Sequence, residues 1–111
     1  MKVFDRAKVL IDYSMSITDN VKRYPKKYRF TFVDRIQNLT LDIYKNLSKS
    51  NECPVDKRRP LQTEVLGDIN VLLALIEISH TRGFIDLRTM EIWTKKVMDV
   101  KYMTAAWMKK A

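Results

Sequence analysis

Apolar residues recur along this chain at alternating intervals of three and four, in four separate stretches. Residues 3–21 place Val3, Ala7, Leu10, Ser14, Ile17 and Val21 on one face of a helix, and Phe4 and Ile11 broaden that stripe. Residues 32–48 repeat the pattern with Phe32, Ile36, Leu39, Ile43 and Leu47. Thr31 has the chemistry of an N-cap for this second helix, and Asp34 brings a carboxylate to its N-terminal turn. Residues 60–82 start with Pro60, acceptable in a first helical turn, and present Leu61, Val65, Ile69, Leu72 and Ile76. Gly83 then reads as a stop signal and Asp86 as the N-cap of a fourth helix. The inner face of that helix holds Met90, Trp93, Val97, Val100, Thr104 and Trp107.

Two glycines and three prolines in 111 residues leave little room for long loops. Helices of similar length with short links pack up and down, so the pattern predicts an all-α, antiparallel four-helix bundle in one domain, residues 1–111. No strand pattern, Gly-rich phosphate loop or solenoid repeat competes with it. The run VLLALI, residues 71–76, is apolar for more than a full turn, whereas a bundle helix needs one buried face. Val71, Leu75 and Ile78 are therefore expected to meet a second neighbour, as a subunit interface does.

Charge adds a partner class. The chain carries 21 Lys and Arg against 13 Asp and Glu, a formal net charge of +8. Such an excess favours polyanions, nucleic acid or an anionic membrane. The stretch KRYPKKYRF, residues 22–30, contains Lys22, Arg23, Lys26, Lys27 and Arg29 with no acid. In an up-and-down bundle this first connection shares an end with the third, near Arg82 and Arg88. Lys57, Arg58 and Arg59 fall at the opposite end, with Lys2, Lys49, Lys109 and Lys110. Both clusters are candidate contacts for phosphates or for an acidic protein. Arg35 divides between a local pair with Asp34 and anion contact. Tyr24 or Tyr28 would offer a surface for an unpaired base. The plainer expectation is that Tyr28 and Phe30 fold back on the core, with Phe30 anchoring the turn.

The remaining chemistry argues for a binding protein. Cys53 is the single cysteine, so there is no internal disulfide, and a zinc site would need further Cys or His ligands. His80 is the single histidine. Glu77 and His80 have the E-x-x-H spacing of di-metal bundles, but no second copy of that spacing follows. No metal, cofactor or catalytic residue is expected. The N-terminal MKVFDRAKVL mixes acids and cations, unlike a secretory signal, and no apolar run approaches the roughly 20 residues of a membrane span. A cytoplasmic protein with no membrane role is expected.

The stretch YPKKYRFTFVDRIQNL resembles the motif F-P-K-x-x-R-[FY]-T-L-G-D-R-I of a family of small bacterial and phage four-helix bundle proteins. Tyr24 stands at its first Phe, and Pro25, Lys26, Arg29, Phe30, Thr31, Asp34, Arg35 and Ile36 follow in register. The similarity extends to the apolar run of the third helix, to HTRGFIDLRTMEIW and to the closing Trp-Met-Lys. The family includes the accessory variability determinants of diversity-generating retroelements and related proteins encoded in ribosomal RNA intervening sequences. The chain departs from it at Phe32-Val33, where Leu-Gly is usual, and at Ala105-Ala106, where Gly-Gly often precedes the Trp. A glycine-dependent close helix approach therefore does not carry over at either place. The resemblance implies a non-enzymatic, barrel-like homopentamer with a positive surface. It further implies binding to a reverse transcriptase and its template RNA in support of mutagenic cDNA synthesis. The intervening-sequence branch, with no retroelement, and a structural oligomer whose main partner is protein are the alternatives.

Overall fold

The computed structural model describes residues 1–110, and every regular element in them is helical. Helix α1 spans Lys2–Thr18, α2 Asp34–Glu52, α3 Arg58–Thr81 and α4 Leu87–Lys110. α1 packs against α2 and α4, and α3 packs against the same two helices. Contacts fix the directions. Phe4 meets Tyr44 edge to face at 5.8 Å near one end of the α1–α2 pair. At the other end the Gln37 amide donates to the Thr18 hydroxyl at 3.0 Å. The Arg58 Nε donates to the Ser50 carbonyl at 2.9 Å, closing α3 back on α2, and Lys101 of α4 reaches Asn70 of α3 at 3.4 Å. Neighbouring helices are thus antiparallel, and the body measures 44 × 24 × 19 Å.

The alternating stripes meet in one core. Val3, Ala7, Leu10 and Ile17 of α1 are buried with Ile36, Leu39, Ile43 and Leu47 of α2. Val65, Ile69, Leu72 and Ile76 of α3 close it with Trp93, Val97 and Val100 of α4. The two layers are also tied by buried polar groups. The Trp93 Nε1–H donates to the Ser14 hydroxyl at 2.9 Å. One turn on, the Thr18 hydroxyl donates to the Ser14 carbonyl at 2.7 Å and accepts from Gln37. Ser14 and Thr18 occupy inner positions because each has these partners; unpaired, a buried hydroxyl would cost free energy.

The third connection is built from its sequence. Gly83 has φ of +78°, a conformation without steric cost only for glycine. Its N–H donates to the His80 carbonyl and that of Phe84 to the Ser79 carbonyl, both at 2.9 Å, which is the Schellman arrangement. The Asp86 carboxylate accepts from the Thr89 N–H at 2.8 Å and caps α4 as expected. Hydrogen bonding by Thr89, through its side chain first and then its backbone N–H, holds the Asp86 carboxyl below its ordinary pKa.

Three expectations are corrected. α1 ends at Thr18, and Val21 lies 59% exposed in the following turn, because the Asn20 carbonyl accepts from the N–H groups of both Arg23 and Tyr24 and bends the chain away. Thr31 does not cap α2. Helical winding already starts after Pro25, with a 3-10 turn at Lys26–Tyr28 and a π-helical turn at Arg29–Val33 running directly into α2. The Thr31 amide neighbourhood is therefore intrahelical before Asp34 is reached. Phe30 does not anchor the turn: it is 81% exposed. A π turn holds more residues than an α turn, so Phe30, three before the buried Val33, is carried round toward solvent.

Candidate functional site

The first and third connections meet at one end of the bundle, and aromatic rings join them. Phe84 is the hub. Its ring centroid lies 5.0 Å from that of Tyr24, 4.8 Å from that of Tyr28 and 5.4 Å from that of Phe32. Tyr28 and Phe32 also meet edge to face at 5.8 Å. Each such pair contributes about 0.5–1.5 kcal/mol beyond area burial. The basic segment is consequently mounted on a packed aromatic base. Phe84 lies in the HTRGFIDLRTMEIW stretch, yet nothing in the chain pattern marks it as the ring that organises the end. The available signal is its place directly after Gly83, where a Schellman motif commonly carries an apolar residue.

The cations of the segment fall into two groups. Lys22, Lys26, Lys27 and Arg29 are exposed. Among the described residues the one ion pair is Lys45 with Asp42 on α2, so none of these four is neutralised by a carboxylate within salt-bridge distance. The Lys27 ammonium lies 5.1 Å from the centre of the Tyr28 ring, and the Arg82 guanidinium 5.9 Å from that of Phe32. Both set a cation beside an aromatic ring, an attraction that needs no carboxylate partner. Arg23 is half-buried instead. Its Nη1 donates to the Thr89 hydroxyl at 3.5 Å, and its charge acts on Asp86, so it fastens the first connection to α4.

A small hollow opens between the end of α1 and the start of α2, with a volume of about 80 Å³. Lys26 and Arg29 line it with Asp19, Asp34 and Gln37. Asp19 accepts from the Gln37 amide at 2.9 Å. Neither cation lies within salt-bridge distance of these carboxylates, so Lys26 and Arg29 share the hollow with Asp19 and Asp34 without an ion pair. Arg35 is exposed on α2, and its charge acts on Asp68 of α3. Burial first, and then Asp42 and Glu64, raise the Asp68 pKa, while Arg35 and Lys45 oppose that shift. Arg29, Asp34 and Arg35 form no local ion pair among the described residues.

At the opposite end Lys57 and Arg59 are exposed. Arg58 differs from both. Besides its bond to the Ser50 carbonyl, its guanidinium lies 5.4 Å from the Trp107 ring centre, so it is engaged in holding α2, α3 and α4 together. Structure thus divides the two sequence clusters into free cations and cations with internal work.

The α3 residues expected at an interface are Val71, 41% exposed, Ile78, 43% exposed, and Leu75, which is half-buried and packed on the core. Cys53 donates a weak bond to the Ser50 carbonyl at 3.4 Å and is a helix-end residue. Among the described residues no group of three or more His, Cys, Asp and Glu side chains is placed to share a metal ion. No described helix is long and apolar enough to cross a membrane. No protein-family model, curated protein or solved structure matches the chain, so the site is read from its own residues.

Proposed function

We propose that this chain is a non-enzymatic adaptor that holds nucleic acid, structured RNA or cDNA, on the basic end of its bundle. The observation that carries this reading is the set Lys22, Lys26, Lys27 and Arg29, exposed on one short connection and unpaired among the described residues. Like charges so close repel one another, and a polyanion relieves that repulsion. Phosphates neutralised by these side chains release condensed counterions, which supplies affinity without sequence preference.

The motif resemblance adds the finer form of the proposal. The protein partner is a reverse transcriptase, the nucleic acid is its template RNA or the cDNA, and the setting is mutagenic cDNA synthesis by a diversity-generating retroelement in the cytoplasm. The exposed Val71 and Ile78 support self-association of α3 faces, with the barrel-like homopentamer as the assembly.

Lys26→Glu combined with Arg29→Glu tests the adaptor reading. Titration of a labelled structured RNA is expected to show at least tenfold weaker binding by this variant, with unchanged helical circular dichroism. Binding equal to the parent would remove this connection as the contact surface. Capture of the polymerase that survives nuclease treatment, together with feeble RNA affinity, would assign the cations to protein instead.

A further inference from the structure

From the exposure of Phe30 we infer that the basic connection takes an unpaired nucleotide, with the base stacked on the Phe30 ring and the flanking phosphates on Lys26, Lys27 and Arg29. This rests on the adaptor reading and narrows its ligand from nucleic acid in general to a single-stranded segment.

Three observations carry it. The Phe30 ring is 81% exposed and lies within four residues of three unpaired cations. It belongs to none of the aromatic or cation–π pairs of the described residues, so no ring or cation of the chain occupies it. The two other aromatic rings of the KRYPKKYRF segment are already in use. Tyr24 is 2% exposed, and Tyr28 is covered by Phe84, Phe32 and Lys27. A lone exposed apolar side chain is ordinary on a protein surface. An open aromatic ring among free cations, held on a helical backbone, is the arrangement that single-strand binders use. Cations track the backbone and a ring accepts any base by its π face. Tyr102, also well exposed, stands far along α4 toward the other end and lacks that setting.

A duplex keeps its bases stacked on one another and has none to offer the ring. The two binding modes therefore separate in one experiment. Probes are an unstructured single-stranded RNA oligonucleotide and a blunt RNA duplex, at one fixed salt concentration, with the full chain. Phe30→Ala is expected to weaken single-strand binding about tenfold and to change duplex binding less than twofold. Its salt dependence should equal that of the parent, because no cation has been removed. Phe30→Trp should restore the single-strand affinity, whereas Phe30→Leu, apolar but without a π face, should not.

Phe30→Ala binding the single strand as tightly as the parent would overturn the inference and leave Phe30 as a protein-facing side chain. An equal loss on both probes would overturn it too, since that is the mark of a general disturbance. If the parent binds neither RNA in a salt-dependent way, the adaptor reading fails and the inference falls with it. A parent that binds both steeply while Phe30→Ala changes nothing refutes the stacking alone.

Discussion

Alanine placed at either of the two glycines is one chemical change with two opposite expected signs. Gly67 lies inside α3 with solvent around it, and a Cβ added there would meet no atom within 4 Å. Replacing glycine by alanine at such a position removes unfolded-state freedom and stabilises by about 0.5–1 kcal/mol. Gly83 has equally open surroundings, so packing contributes nothing to the difference. Its φ of +78° decides the outcome. An L-residue in the left-handed region costs roughly 1–2 kcal/mol, which outweighs the entropic gain and leaves a net loss of about 1 kcal/mol. The two variants should therefore differ by about 2 kcal/mol, or roughly 8 °C in Tm for a domain of this size. Urea denaturation followed by far-ultraviolet circular dichroism measures both against the parent, with equal m-values as the check that the unfolding transition is unchanged. Gly83→Asn should fall between, since Asn tolerates this conformation better than Ala. If Gly83→Ala is as stable as Gly67→Ala, the Schellman turn does not set the geometry of the third connection. Phe84 would then lack the fixed position from which it carries the basic segment.

Other consequences follow from particular contacts. Arg58→Ala should lose about 1–2 kcal/mol of stability by chemical denaturation, from its bond to the Ser50 carbonyl and its place over Trp107. Arg59→Ala, one residue on and exposed, should stay within about 0.5 kcal/mol of the parent. The buried Tyr24 hydroxyl faces the Ser79 side chain without a hydrogen bond of acceptable geometry, and burial raises its pKa. Tyr24→Phe should accordingly leave Tm unchanged or raise it, and a drop of several degrees would mean that the hydroxyl is satisfied after all. The Asp86 carboxyl has a folded-state pKa below its unfolded value, so its contribution to stability is present above about pH 4. That contribution disappears as pH falls through the lowered folded-state pKa. Asp86→Ala should thus destabilise at neutral pH, and its difference from the parent should shrink in acid; a pH-independent difference would rule out the carboxylate cap.

The bundle was legible because its four stripes hold long, regular apolar spacings. Every inner position named on α4 from Trp93 to Thr104 is buried, as are Val3 to Ile17 on α1. The stretch from Pro25 to Asp34 misled because its winding is neither a loop nor an α-helix. With Thr31 read as the N-cap, Phe30 falls in a turn free to fold back on the core, whereas helical winding that starts after Pro25 leaves its ring in solvent. The cations were visible in the sequence, but their partners were not. Arg23 meets Thr89 across 66 residues, and Arg58 finds Trp107 on the last helix. The Arg35 charge acts on Asp68 of α3, and Arg35 forms no ion pair with its neighbour Asp34 among the described residues. Only the packed end shows which lysines and arginines have no internal partner. The apolar surplus of α3 was legible as well, although Leu75 divides itself between the core and the surface.

The account turns on free positive charge at one end of the bundle. The most direct measurement is the affinity for a single-stranded RNA across a series of salt concentrations, for the parent and for Lys26→Glu with Arg29→Glu. With Lys22, Lys26, Lys27 and Arg29 each meeting a phosphate, log K should fall against log salt with a slope of about −3 for the parent. The variant should show a slope about half as steep and a lower affinity at every salt concentration. Identical slopes for the two proteins would contradict the account, because the unpaired cations would then have no phosphates to hold.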